Sequence, residues 1–332
     1  MQKTTLISEM RKFQFGRKIY GSDGEVGILA LMGFDSATRR MTSIGVKQNR
    51  PFGKTFFQPY AAVLDATGDG IMLNVTLDEL EANKTAVQGV LLDAKSVVQQ
   101  ADSSAKGQLV LIAVHPQTGE LAYCVARHLR AGQSTLIQQN YVTALDMGSI
   151  RISTPETTLQ TLPPYRSDAE LQEEVEAVLF DLTPLHVDFK GMKVRVLDSV
   201  LYLDGNISSS LRGDIVYDQA LGVPGLLEIK NRLVGDDQLA SDLAMALSHD
   251  ARTHELPIGV YPRLGEVRLS GAVHTPEQKA AAGEIAASFP GVRSVSNDLV
   301  VNSKTDMLNV MSSSEGGEAE DKIPGKYVRH TK

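Results

Sequence analysis

The sequence predicts an α+β multidomain protein in which small β-barrels precede two α-β-β-α-β modules. Three observations predict this class. The C-terminal part repeats itself in one constant register, which indicates a duplicated module. The first half consists of short alternating apolar and polar runs joined by Gly, Asp and Pro turns, a pattern typical of small barrels. The length of 332 residues exceeds that of one ordinary domain.

The C-terminal repeat rests on three correspondences that share the same spacing along the chain. Leu-Asp-Gly-Asn-Ile at 203–207 matches Leu-Ser-Gly-Ala-Val at 269–273. Val-Pro-Gly at 223–225 matches Phe-Pro-Gly at 289–291, and Asn-Arg-Leu-Val at 231–234 matches Asn-Asp-Leu-Val at 297–300. A duplicated small module without a cofactor motif points to binding or assembly rather than catalysis.

Composition predicts aliphatic cores and a reduced thiol. The chain has 42% hydrophobic residues, no Trp and a single cysteine, Cys124, which lies in an apolar run and is expected to be buried. The first twelve residues lack the apolar core of a secretory signal, and no stretch reaches the ~18 apolar residues that span a bilayer. We therefore expect a cytoplasmic protein, with peripheral membrane contact as the alternative location.

Charge divides the chain into unlike halves. Residues 1–167 carry 17 Lys/Arg against 14 Asp/Glu, residues 168–302 carry 11 against 21, and residues 303–332 carry 5 of each. The acidic half disfavours nucleic acid and anionic membrane surfaces, because both would repel it. The difference in sign makes contact between halves, within or between molecules, electrostatically reasonable.

The first half shows a fainter repeat. Residues 65–76 resemble residues 145–153, and the turns at 33–38 and 115–120 each lie between two strand-like runs. The pattern predicts a first barrel over 1–83, a second over 107–160 and a connecting helix within 84–106. The prediction of this helix depends on apolar residues at helical spacing between Thr85 and Ala101. A stiff linker with two prolines follows at 161–167.

The second half predicts one module over 168–235 and another over 236–302. Each has the order helix, two strands, helix, strand. Asp168 is the expected N-cap of the first helix, and Thr275 followed by Pro276 is the expected start of the last helix. The tail 303–332 has few apolar residues, so we expect it to be disordered.

The module pattern resembles the BON family. It combines L-x-G-x-[IV] on the second strand, [VF]-P-G after the second helix and N-x-L-V on the last strand. The fold-determining turn residues would be Gly205, Gly225, Gly271, Gly291, Pro224 and Pro290. Gly205 and Gly271 are expected to leave the strand, and Gly225 and Gly291 to turn the chain after a helix.

The N-terminal half resembles PRC-barrel domains. Residues 15–27, Phe-Gly-Arg-Lys-Ile-Tyr-Gly-Ser-Asp-Gly-Glu-Val-Gly, are similar to the opening motif of that family. The BON resemblance implies binding of phospholipid surfaces or sensing of a monovalent cation. The PRC-barrel resemblance implies docking onto larger assemblies. Neither resemblance implies a reaction.

The sequence signals for catalytic and metal-binding residues are weak. Residues 65–70 imitate the start of a calcium loop, but the twelfth position is Thr76 instead of Glu, so a β-turn is the better interpretation. The step between His249 and His254 does not align two metal ligands on a helix. No nucleophile elbow, phosphate loop or dinucleotide fingerprint is present. We predict no enzyme activity, no cofactor and no metal.

A basic cluster on the first barrel is the candidate partner patch. Its cations are Arg39, Arg40, Lys47, Arg50 and Lys54, with Phe52, Phe56 and Phe57 nearby. These residues fit protein docking, nucleic-acid stacking or a plain solvated loop. Phe56 and Phe57 are consecutive, so only one of them faces outward in a strand.

The sequence therefore predicts a non-catalytic scaffold that assembles with itself or with a larger protein complex. Two alternatives remain open. One is a peripheral phospholipid-binding stress protein of the envelope, which the acidic helices of the second half disfavour. The other is a BON sensor that responds to a monovalent cation.

Overall fold

The computed structural model describes residues 5–49, 53–83, 89–101, 105–130, 132–162 and 164–302. The chain divides into two compact units. The first comprises Met1–Pro184, Lys193–Leu203 and Val216–Arg232, and the second comprises Leu185–Met192, Asp204–Ile215 and Leu233–Lys332. The protein is α+β and multidomain, as predicted, with many strands and few helices. Among the described residues, no helix is long and apolar enough to cross a membrane.

The first unit begins with two copies of one strand-rich repeat. The elements of the first copy are β1 Arg11–Gln14, β2 Lys18–Gly21, β3 Gly24–Phe34, β4 Met41–Lys47, β5 Thr55–Pro59, β6 Val63–Thr67, β7 Gly70–Leu73 and α1 Leu77–Ala82. The elements of the second copy are β8 Val90–Asp93, β9 Val97–Gln100, β10 Lys106–Val114, β11 Leu121–Arg130, β12 Gln133–Gln138, β13 Val142–Asp146, β14 Ser149–Ile152 and α2 Glu156–Thr161.

The two copies are equivalent almost residue by residue. The pairs β1 and β8, β6 and β13, β7 and β14, and α1 and α2 all begin at the same separation along the chain. Short 3-10 turns at Tyr60–Ala62 and Gln139–Tyr141 occupy the same place in each copy and keep this separation. The faint repeat in the sequence is therefore a duplication of the fold.

Each copy donates its first strand to the sheet of the other copy. Strand β1 pairs antiparallel with β10, with Arg11 opposite Val114, and β8 pairs antiparallel with β3, with Val90 opposite Phe34. The resulting sheet orders are β5-β4-β3-β2-β7-β6 with β8 on β3, and β13-β14-β9-β10-β11-β12 with β1 on β10. A last strand, β15 Pro164–Tyr165, extends the second sheet beside β12. One hydrophobic cluster contains buried residues of both copies, including Phe13, Ile44, Leu92 and Ile137.

Two predictions for this region are wrong. The strand orders of the described residues do not close into two separate barrels, because the exchanged strands join the copies to one another. The predicted helix within 84–106 is replaced by β8 and β9 in its described part, while 84–88 and 102–104 lie outside the described residues. Val90, Val97 and Val98 are β-branched and favour a strand. A turn from Asp93 to Ser96, closed by donation of the Asp93 N–H to the Ser96 hydroxyl, separates the strands.

The first α-β-β-α-β module follows β15. Its elements are α3 Asp168–Phe180, β16 Met192–Leu197, β17 Val200–Ile207, α4 Ser210–Leu221 and β18 Glu228–Gly235. The strand order is β16-β17-β18. The N-cap of α3 is Ser167, which forms a capping box with Glu170. Asp168, the predicted cap, is the first helical residue and holds a turn instead, as described below.

The second module repeats this order. Its elements are α5 Asp236–His249, β19 Ile258–Arg263, β20 Glu266–Val273, α6 Pro276–Ser288, β21 Ser294–Asn297 and β22 Val300–Val301. Strand β20 is central, between β19 on one side and β21 and β22 on the other. Thr275 caps α6 with Pro276 in the first turn, which confirms that prediction. The inner face buries Leu243, Leu269 and Ala282 between the sheet and its helices.

Candidate functional site

The outer face of the second module's sheet is the candidate site. Cross-strand register places Arg263, Glu266 and Ser294 in one row and Tyr261, Arg268 and Ser296 in the next. Side chains alternate between the two faces of a strand, so these six point away from the core that Val267 and Leu269 enter. We call these six residues the open face. All six are exposed, and Tyr261 is 53% exposed.

The open face has a groove and a net positive charge. The groove has a volume of about 450 Å³, and the six residues line it together with Pro262 and Val267. The guanidinium carbon of Arg268 lies 5.4 Å from the ring centroid of Tyr261, a cation–π distance. The groove has two arginines and one carboxylate, so it suits an anionic ligand better than a cationic one. The two serine hydroxyls supply further hydrogen-bond donors.

A buried carboxylate holds the hairpin turn at the end of the open face. The two turn residues, Leu264 and Gly265, both have positive φ, +49° and +80°, as a two-residue hairpin of type I′ requires. Asp236, at the start of α5, accepts the backbone N–H of Leu264 at 2.7 Å and that of Gly265 at 3.3 Å. The helix start and the hairpin are thereby fixed to each other.

In the first module, a carboxylate at the helix start also holds the hairpin turn. Asp168 accepts the N–H groups of Asp198 and Ser199, each at 2.8 Å. Both turn residues have positive φ, +53° and +61°. This role of the two acids is not among the predictions from the sequence. The available signal was an Asp at the first position of each module's first helix, followed by a two-residue turn between the module's first two strands.

The predicted glycines lie at demanding backbone positions. Gly205 and Gly271 have φ of +104° and +123° and lie inside β17 and β20, so the expectation that they leave the strand is wrong. A Cβ on Gly205 would lie 2.2 Å from the Gly191 carbonyl oxygen, and one on Gly271 would lie 2.1 Å from that of Pro257. Such contacts exclude any side chain.

The other predicted turn residues follow the second helix of each module. Gly225 and Gly291 have φ of +103° and +87°. Pro224 and Pro290 directly precede them in the same turns. Positive φ just after a helix favours glycine, and a proline there cannot continue the helix.

In the first unit, the equivalent sheet face carries other segments of the same chain. Arg195, at the position of Tyr261, forms an ion pair with Asp69 at 2.5 Å. Glu228, at the position of Ser294, accepts the backbone N–H and the hydroxyl of Ser8, both at 2.9 Å. In the first module, this face therefore contacts other segments of the same chain.

A buried ion pair supports that contact. Lys12 of β1 and Asp198 are 4% and 5% exposed, and Lys12 Nζ lies 3.8 Å from Asp198 Oδ2. Asp198 Oδ2 also accepts the N–H of Gly68 at 2.9 Å. Burial lowers the pKa of Lys12 and raises that of Asp198, and their opposite charges oppose both shifts.

The structure separates the predicted basic patch. Arg39 and Arg40 lie just before β4, where Arg40 pairs with Glu120 at 2.5 Å and Arg39 donates to the carbonyls of Gln139 and Thr143. Lys47 is the last residue of β4 and Met41 is the first. At the usual rise per residue of a strand, their Cα atoms are about 20 Å apart. Lys54 lies beside that end, since its carbonyl accepts the Gln48 N–H, while Arg50 and Phe52 lie outside the described residues. The four cations of the patch that the structure describes do not form one surface.

The described residues offer little for metal or nucleophilic chemistry. No group of three or more His, Cys, Asp or Glu side chains among them is arranged to hold a metal ion. The calcium-like segment 65–70 is the hairpin between β6 and β7, as the turn interpretation predicts, and its Asp69 pairs with Arg195. Cys124 is fully buried, and burial raises the pKa of its thiol to about 12, so it is not a reactive thiolate.

The open face lies in a part of the chain that is similar to known proteins. Residues 235–303 match the model of the BON domain. Over 159 residues, the chain is 25% identical to osmotically-inducible protein Y of Escherichia coli (strain K12), and the match covers 43% of this chain and 77% of that protein.

Two solved structures of CdsD, a structural protein of the type III secretion system of Chlamydia trachomatis, are also similar. The first has a TM-score of 0.33 and 17% identity, covering 40% of this chain and 62% of that one, so the chain spans less than two thirds of it. The second, the C-terminal domain, has a TM-score of 0.33 and 16% identity, covering 41% and 68%. The open face is the outer surface of the sheet formed within residues 235–303, the part of the chain that matches the BON domain model.

Proposed function

We propose that this chain is a non-catalytic scaffold or binding protein whose second module holds a carboxylate-bearing protein segment on its open face. The tandem BON pair and the PRC-barrel-like character of the first two repeats belong to this proposal. One observation carries it. The same face of the first module holds Asp69 and Ser8 of the chain, while the face of the second module is exposed.

The chemistry of the open face supports an acidic partner. Arg263 and Arg268 offer planar guanidinium donors that fit carboxylates, and Tyr261 gives an aromatic surface for the backbone of an extended segment. The similarity to osmotically-inducible protein Y supports a stress-associated setting for this binding. The cytoplasmic location predicted from the sequence stays a prediction.

A model ligand tests the proposal directly. A fluorescein-labelled deca-glutamate peptide is titrated with the full chain at low ionic strength, and its anisotropy is followed. We expect saturable binding that weakens about tenfold or more in the Arg263→Ala/Arg268→Ala double variant, since removing one partner of a charge-assisted contact typically costs this much. Arg127→Ala is the matched control, because Arg127 is also an exposed arginine on a strand. Equal binding to the double variant would remove the open face from the proposal.

Self-association is the second part of the scaffold proposal. Size-exclusion chromatography with light scattering, at rising protein concentration and at two ionic strengths, measures it. We expect the mass to rise with concentration and to fall with added salt, because the halves of the chain differ in charge. A monomer at every concentration, indifferent to salt, would contradict self-assembly and leave the binding role to the peptide test.

A further inference from the structure

We propose that the acidic stretch 306–321 of this chain occupies the open face of its own second module. This inference rests on the proposed function, because it names the segment that the face holds. An external acidic partner would then have to compete with residues 306–321 for the open face.

The open face carries a net positive charge that is available to a ligand. Arg263 and Arg268 are exposed, and neither forms an ion pair in the part of the chain that the structure describes. Glu266 is the single acid among the six residues of the face. A carboxylate-rich segment would therefore gain charge-assisted hydrogen bonds there without displacing an existing ion-pair partner.

The stretch that follows the second module has the complementary charge. Between Lys304 and Lys322 the sequence contains no Lys or Arg and five acids, Asp306, Glu315, Glu318, Glu320 and Asp321. Four of the five fall within 315–321. The neutral overall charge of 303–332 hides this separation, because the basic residues cluster after position 321.

The chain leaves the sheet close enough to reach the face. The N–H of Asn302 donates to the carbonyl of Val273, which ends β20 and lies about 17 Å along that strand from Arg268. Glu315 follows Asn302 by thirteen positions, and a random-coil chain of that length spans about 20 Å. A tether whose span matches the distance gives an effective concentration in the millimolar range, which favours the intramolecular contact.

The first module supplies the precedent. In its unit, an arginine of the same sheet face, Arg195, pairs with a carboxylate from elsewhere in the chain, Asp69. The arginine and the tyrosine change places between the two modules, since Tyr261 lies at the position of Arg195 and Arg268 at that of Tyr202. The face of each module therefore has an arginine that can pair with a carboxylate.

Competition with the deca-glutamate peptide tests the inference. The variant Glu315→Gln/Glu318→Gln/Glu320→Gln/Asp321→Asn removes four charges from the full-length chain. We expect it to bind the peptide about fivefold to tenfold more tightly than the unaltered chain, because the internal competitor is weakened. The gain should vanish when Arg263→Ala/Arg268→Ala is added. The control Lys322→Gln/Lys326→Gln/Arg329→Gln/Lys332→Gln changes as many charges in the same tail and should not tighten binding.

The outcomes separate the inference from the proposed function. If the peptide binds neither the unaltered chain nor the acid-neutralised variant, the proposed function fails. If it binds both with equal affinity, the face binds carboxylates but the tail does not occupy it, and only the inference is overturned.

A direct proximity measurement gives a second test. Cys124 is fully buried, so Ser313→Cys provides one accessible thiol for a spin label. We expect paramagnetic broadening of the amide resonances of Tyr261 to Arg268 that persists on dilution with unlabelled protein and disappears at high ionic strength. Unbroadened resonances at low ionic strength would exclude occupancy of the face.

Discussion

The carboxylate of Asp236 accepts the backbone N–H of Leu264 at 2.7 Å, across 28 positions of sequence. This contact ties the first turn of α5 to a hairpin turn whose first residue is a leucine with φ of +49°. A non-glycine residue in this region persists only where its surroundings hold it. The equivalent contact of Asp168 with Asp198 shows that both modules use the same support.

Replacing Asp236 should destabilise the second module. Asp236→Ala leaves the buried N–H of Leu264 without a partner, and we expect a loss of about 1–3 kcal/mol in the free energy of unfolding. Urea unfolding followed by circular dichroism measures the loss. Asp242→Ala is the control, since this partly exposed acid of the same helix bonds only to the Gln238 side chain among the contacts described. Equal midpoints for both variants would refute a supporting role for Asp236.

Gly271 should tolerate no side chain. Gly271→Ala combines φ of +123° with a Cβ that would lie 2.1 Å from the Pro257 carbonyl oxygen, so we expect a loss above about 2 kcal/mol. Gly213→Ala should instead raise the free energy of unfolding, by up to about 1 kcal/mol. Gly213 lies inside α4, and its Cβ would meet only Ile207 at 3.8 Å. Differential scanning fluorimetry of the two variants checks both signs.

The buried pair Lys12 and Asp198 should make stability depend on pH. Burial raises the pKa of Asp198, so the stability that this carboxyl contributes is present below pH 3.8 and is lost as the pH rises through its folded pKa. Lys12→Met removes the cation that opposes this shift. We therefore expect the pKa of Asp198 to rise further, and the variant to melt at a lower temperature at pH 7 than at pH 5.

A double variant separates charge from packing in this pair. Lys12→Met/Asp198→Asn should recover most of the melting temperature at pH 7 and lose the added pH dependence, because no buried charge remains. Asparagine also tolerates the positive φ of position 198. A double variant no more stable than Lys12→Met would show that the lysine contributes through packing alone.

The strand exchange should make the two N-terminal repeats unfold together. Phe13 of β1 is fully buried and its strand lies in the second sheet. Phe13→Ala should cost about 3–5 kcal/mol and lower the protection of both sheets against hydrogen exchange. Leu92→Ala, on the reciprocal strand β8, should produce the same pattern. Loss of protection in one sheet only would mean that the copies are independent domains.

Much of the C-terminal half follows from the sequence by local rules. Thr275 and Pro276 indicate the start of α6, and the structure confirms it. The C-terminal repeat predicted that both modules share an element order. The chemical character of the open face did not follow, because Tyr261, Arg263 and Arg268 form a surface only when the register of β19 and β20 is known.

The errors in the first half have a physical cause. The apolar residues of 90–98 fit helical and strand spacing equally over so short a stretch, and the helix prediction followed the spacing rather than the β-branched side chains. In a duplicated sequence, β1 carries the same pairing pattern for β3 as for β10. Local sequence cannot specify which copy receives the strand.

The sequence by itself determined the C-terminal repeat, the start of α6 and the glycines at positive φ, because each can be recognised from short stretches of the chain. Only the tertiary structure decided the exchange of β1 and β8, the burial of Lys12 beside Asp198 and the exposure of the open face. These depend on which strand pairs with which and on what covers each sheet. They are set by the global packing of apolar surface, which no local pattern encodes.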